Sequence, residues 1–235
     1  MSAAFKNIAA LVGVIVAAAC LQACGKISAT DPADTVVASL PQAAMTNYAE
    51  NCSACHGANG VNGAARQLAD ANYLASVGRE ALINITTNGV PGGFCPGSGP
   101  ASLAHWNPKQ VAEFVDGMLD AWGKNGVALS IPWSVKLAPA GNASNGQAVY
   151  AATCQSCHGA PGATVASASG SVTDPNYLRL ITDQGLRSAI LFGRPERGMP
   201  GWSGPFPHQA VDRKLSSQEI SDVVVFLRST ASQKQ

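Results

Sequence analysis

The chain has 235 residues, 15 basic and 14 acidic side chains, and a net charge of +1 with 12% of residues charged. That length admits one or two domains. So little charge of either sign leaves no electrostatic footprint for nucleic acid, which is excluded as a partner.

Residues 1–23 read as an export signal. Lys6 supplies the positive n-region, and Ile8 to Ala19 form an uncharged apolar run, shorter than the roughly 20 residues that span a bilayer. Leu21-Gln22-Ala23-Cys24 is similar to a bacterial lipobox, so Cys24 is expected to be lipidated and to become the new N-terminus. Cys20 after three alanines is a competing site, and an uncleaved anchor helix is the alternative. Either way the body lies in the cell envelope, facing the periplasm and tied to a membrane. Residues 24–41, rich in small and polar side chains without periodicity, read as a tether.

Gln42 to Asn51 is predicted as a helix leading into Cys52-Ser53-Ala54-Cys55-His56. In C-x-x-C-H the two thiols add across the vinyl groups of a haem, and the histidine reaches the iron as proximal ligand. The histidine directly after the second cysteine separates this pattern from a redox dithiol or half a zinc site, and Gly57 suits a tight exit turn. Asn107, Pro108 and Gln110 then mark a helix start, followed by Val111, Phe114, Val115 and Met118 at helical spacing. This first domain is set at residues 42–122.

The stretch 123–144, with Gly126, Pro132, Pro139 and Gly141, reads as a linker in which Trp133 packs against one domain. A second domain, residues 145–230, repeats the pattern. Asn145 to Thr153 leads as a helix into Cys154-Gln155-Ser156-Cys157-His158 and Gly159. Ser216 and Glu219 form a capping box before Ile220, Val223, Val224 and Leu227. The halves align at Tyr48 to Cys52 with Tyr150 to Cys154, and at Asp70 to Leu74 with Asp174 to Leu178. A period near 100 residues is a domain duplication. No sustained alternation is present, so an all-α fold without strands is expected, carrying two covalently bound haem c groups on Cys52, Cys55, Cys154 and Cys157.

On these motifs each half resembles a class I cytochrome c domain. The resemblance implies an N-terminal helix, the pentad, a distal loop bearing a sixth iron ligand, and a C-terminal helix packed across the first. Gly193 to Pro200 resembles that distal loop, with Met199-Pro200 supplying a thioether ligand about 40 residues beyond His158. Such His/Met ligation raises the potential. In the first half Gly89 to Pro96 falls in the same register, and Cys95 stands where the methionine would be. Of seven cysteines it alone is left after the signal, the lipid site and the pentads. Thiolate ligation would remove the liability of a free thiol and lower that haem's potential. A buried bystander cysteine, with His105 or Met118 on the iron or the position open, is the alternative. Arg66, Arg79, Arg187 and Arg194 are candidates for haem propionates or ordinary surface arginines. Trp202 is expected at the haem edge and His208 at the surface.

Two functions fit. The first is a membrane-tethered electron relay between respiratory-chain partners, a quinol-oxidising complex and a terminal acceptor, similar to dihaem subunits of oxidase and bc-type assemblies. The second is an enzyme: a His/Cys haem followed by a His/Met haem resembles the thiosulfate dehydrogenase arrangement. Residues 80–100 contain no lysine or arginine to bind a sulfur oxyanion, which favours the relay. A dihaem peroxidase would need an open iron.

Overall fold

The computed structural model describes residues 38–163, 170–206 and 213–232. The expected export signal, Cys20, Cys24, most of the expected tether and His208 lie outside them. Among the described residues the fold is helical without strands, as expected. Its ten α-helices are α1 Gln42–Asn51, α2 Ser53–His56, α3 Ala71–Val77, α4 Arg79–Asn88, α5 Pro108–Trp122, α6 Ala143–Thr153, α7 Gln155–His158, α8 Pro175–Leu180, α9 Asp183–Phe192 and α10 Ser217–Ser232. No helix among the described residues is long and apolar enough to cross a membrane.

Local chemistry sets the helix starts. Asn107 and Gln110 form the anticipated capping box of α5, and Ser216 and Glu219 exchange the same pair of bonds at α10. Four orphan helix N-terminal donors must be satisfied in this way. Sequence pattern does not predict the middle pairs α3–α4 and α8–α9, although the starts of α3, α8 and α9 are marked in the chain; α4 follows Gly78 without a side-chain cap. Asp70 accepts from Tyr73 N, Asp174 precedes Pro175 at the first helical position, and Thr182 accepts from Gly185 N.

In each half the helix entering the pentad packs on the last helix of that half. Tyr48 of α1 is fully buried between Phe114 and Trp122 of α5, with ring centroids 6.5 and 5.3 Å away. Tyr150 of α6 meets Phe226 of α10 at 5.3 Å. The closest crossing is Gly146 of α6, where a Cβ would lie 2.0 Å from Asp222 O; at the α1–α5 crossing a Cβ on Gly117 would lie 3.3 Å from that of Ala44.

The cores do not divide at the repeat. One buried cluster joins Tyr48, Tyr73, Leu74, Val111 and Phe114 to Leu191, Phe192, Phe206, Leu215 and Ile220 of the second half. A smaller cluster of Tyr150, Leu178, Leu186, Val223, Val224, Phe226 and Leu227 fills the second half alone. Residues 36–235 accordingly form one compact unit. The segment between the halves is held as firmly. Buried Arg187 donates to Pro132 O through Nε at 2.9 Å and Nη2 at 2.7 Å, and the Gln184 amide binds both Val135 N and Trp133 O. Trp133 is half-buried against the shared core.

Candidate functional site

The two pentads have the same local geometry. Cys52 N-caps α2, with Cys55 N and His56 N donating to its carbonyl at 3.2 and 2.9 Å. Cys157 N and His158 N do the same to Cys154 O at 3.1 and 3.0 Å. The two thiols of each pair therefore stand one helical turn apart, and none of the four is in a disulfide. The chain leaving each pentad is caught by a tyrosine of the preceding helix: Tyr48 OH donates to Gly57 O at 2.6 Å and Tyr150 OH to Gly159 O at 2.8 Å.

Both histidines are oriented by a backbone carbonyl. His56 Nδ1 lies 2.7 Å from Arg66 O, and His158 Nδ1 lies 3.0 Å from Gly170 O. A proton on Nδ1 makes these bonds and leaves Nε2 with a lone pair for a metal. Burial, opposed by the Arg66 carbonyl and reinforced by the Arg194 and Arg66 charges, holds the His56 pKa below its ordinary value. The neutral ring that a metal requires is thus the favoured form.

The loops 89–96 and 193–200 make matching backbone contacts in the register that places Cys95 against Met199. Val90 N donates to Cys95 O at 3.1 Å, and Arg194 N to Met199 O at 2.9 Å. A Cβ on Gly89 would lie 2.1 Å from Cys95 O, and one on Gly193 would lie 2.5 Å from Met199 O. Only a residue without a side chain allows so close a return. Further on, Trp106 N reaches Ser98 O as Leu215 N reaches Trp202 O. Cys95 and Met199 are both half-buried. Cys95 also stands within electrostatic range of the first pentad: burial, then the Cys95 and Cys55 thiols, push the Cys52 thiol up to about 12. Of the alternative ligands, Met118 is a core side chain, 2% exposed. His105 is exposed and lies 3.0 Å from Pro100 O, on the wall of a cavity of about 390 Å³ shared with Asn51 and Pro96.

A thiol pair one turn apart and outside any disulfide, followed by a histidine whose Nδ1 is held by a carbonyl and whose Nε2 faces no protein partner among the described residues, fits the vinyl edge and iron of a haem. It does not fit zinc, because among the described residues no three His, Cys, Asp or Glu side chains gather as a metal site. The family described as cytochrome c oxidase, cbb3-type, subunit III matches the chain over residues 40–115 and 141–227, one match for each half. The protein belongs to this family. It is a class I c-type cytochrome with two cytochrome c domains, and the family binds haem c covalently and transfers electrons. No curated protein and no solved structure matches the chain.

The arginines of this cytochrome all find protein partners. Arg79 pairs with Asp116 on the surface and Arg187 holds the inter-domain segment. Arg66 and Arg194 bridge the halves. Arg66 Nη1 donates to Gly193 O at 2.9 Å, and Arg194 Nη2 to Gly63 O at 2.6 Å. Arg197 joins them through Asn62 O at 3.0 Å. Sequence reading missed this seam. Its only signal was the density of arginine in residues 194–197 beside the distal loop. Trp202 is half-buried against the shared core, under Lys214 Nζ at 5.9 Å.

Proposed function

We propose that the cytochrome carries two haem c groups and relays single electrons between respiratory-chain partners, from a quinol-oxidising complex to a terminal acceptor. In this reading Cys52 and Cys55 hold one haem, with His56 and Cys95 as axial ligands. Cys154 and Cys157 hold the other, with His158 and Met199. The observation that carries it is the duplicated geometry of the pentads, down to the tyrosine that catches each exit turn and the carbonyl behind each histidine. Two such centres can hand an electron from one to the other, and a relay needs no substrate pocket. The family's description as an oxidase subunit supports a terminal oxidase as acceptor. Lipidation at Cys24 would keep the protein on the periplasmic side of a membrane, beside such partners.

Haem stoichiometry tests the reading. The mature protein should carry two haems resistant to acid-acetone extraction, and replacing Cys154 and Cys157 by serine should leave one. A single haem in the unmutated protein overturns it. Membranes containing the protein should reduce it with quinol, and Cys24→Ala should release it or leave it unprocessed. The second reading, oxidation of a sulfur oxyanion such as thiosulfate, is favoured by one observation, the cysteine in the methionine's register. Thiosulfate-dependent haem reduction by the purified protein would establish it in place of the relay.

A further inference from the structure

The seam between the halves ties the two proposed iron sites together. Arg66 lends its carbonyl to His56 Nδ1 at 2.7 Å, while its guanidinium reaches across to Gly193 O at 2.9 Å and back to Asp70 at 2.6 Å. That guanidinium also lies over the rings of Tyr73 and Phe192, at 5.3 and 5.4 Å, one from each half. In return Arg194, whose backbone N–H and C=O both bond to Met199, donates to Gly63 O at 2.6 Å and Ala64 O at 3.2 Å. Glu196 steadies Arg194 at 2.9 Å with a carboxylate whose side chain is only 9% exposed. The loop behind the first proximal histidine and the loop bearing the second distal methionine therefore hold each other by reciprocal arginine bonds.

We propose that Arg66 and Arg194 are positioning residues that couple the two haem sites, so that the second domain's Met199 loop sets the orientation of His56 in the first. The idea rests on the two-haem reading above and adds to it a mechanical link. The argument is geometric. His56 is aimed by one carbonyl, that carbonyl belongs to Arg66, and Arg66 is anchored to the other half. Two forks and a pair of edge-to-face rings under one guanidinium fix the backbone of residues 63–66 far better than a charge alone could, because the guanidinium's donors are planar and directional.

The test uses the full-length two-haem protein, with low-temperature EPR resolving the two ferric sites and potentiometric titration following each. Haem content is measured first, so that failure of the two-haem reading is recognised separately. Arg194→Ala and Arg194→Lys are compared with Arg79→Ala, which removes a surface charge paired to Asp116. The expected result is a shifted g-set and midpoint potential at the first site in both Arg194 variants, with Arg79→Ala like wild type. Full restoration by lysine would show that charge alone acts, and an unchanged first site in Arg194→Ala would show that the seam is only structural. Either overturns the proposal. Should Arg194 variants fold poorly, Arg197→Ala removes milder bonds to the same loop, at 3.0 and 3.3 Å. It should give a smaller shift of the same kind, and no shift would count against the coupling.

Discussion

Tyr48 and Tyr150 carry the same task in the two halves. Each is buried, and each spends its hydroxyl on the carbonyl just after the pentad histidine. Losing such a bond leaves a carbonyl short of a partner at a net cost of about 1 kcal/mol. Tyr48→Phe and Tyr150→Phe should each lower stability by that order in urea unfolding. Each should also loosen its own haem, visible as perturbed absorption of one site. Cys95 is the proposed distal ligand of the first site. If it binds iron as thiolate, Cys95→Met replaces an anionic donor by a neutral thioether, and the potential of that haem should rise. An unchanged spectrum and potential would make Cys95 a bystander. The pentads and the Cys95–Met199 register were legible because they are fixed by spacing within one stretch of chain. The partners of Arg66, Arg187 and Arg194 were not, because carbonyls 55 to 131 residues away carry no sequence signature.

Among the elements, the crossings of α1 with α5 and of α6 with α10 make the sharpest demands. A methyl on Gly146 would meet Asp222 O at 2.0 Å, backbone that cannot step aside, whereas one on Gly117 meets side chains, the Ala44 methyl at 3.3 Å and the Pro41 ring at 3.5 Å. Alanine gains up to about 1 kcal/mol in helix propensity over glycine, and overpacking costs about 1–3 kcal/mol. Gly146→Ala should therefore destabilise clearly, and Gly117→Ala should be near neutral; equal effects in thermal unfolding would contradict this account. The cap of α10 predicts a pH dependence. Burial alone would raise the Glu219 pKa, but the Ser216 N–H and the Arg213 guanidinium outweigh it and hold the carboxyl below its ordinary value. A depressed folded pKa means the stabilisation is complete above the unfolded pKa and is lost as pH falls through the folded one. The Glu219→Gln protein should lose less stability than wild type between about pH 5 and pH 3. Long capped helices were readable from local pattern. The short α3, α4, α8 and α9 were not, since at six to ten residues they carry neither a capping box nor a haem pentad to mark them.

At the scale of the whole molecule, a chain read as two domains and a linker folds around a core that both halves share. Hydrophobic residues show in sequence which helix face is buried, but not whose core they complete. Leu191 and Phe192 belong by sequence to the second half and by packing to the first cluster. Calorimetry should therefore record one cooperative transition for residues 36–235, and two resolved transitions would refute the common core. Arg187, 1% exposed, secures the segment between the halves through neutral partners, Pro132 O, Ser217 and Ser221. Arg187→Ala should cost about 2–4 kcal/mol through the cavity and the unpaired carbonyl. It should also expose residues 123–144 to protease.

The shared core also orders events in time. Chains are made and fold from the N-terminus, so Cys52 to His56 emerge well before Leu191, Phe192, Phe206 and Ile220, which complete the cluster around Tyr48 and Tyr73. The first pentad thus passes through an interval in which its thiols are presented on an unfinished fold. The second pentad has no comparable wait, because the residues that close its own small cluster follow it within 70 or so positions. If both pentads take haem, as proposed above, attachment would be staggered: the first site would be open to the attachment machinery early and sealed only when the last helix docks.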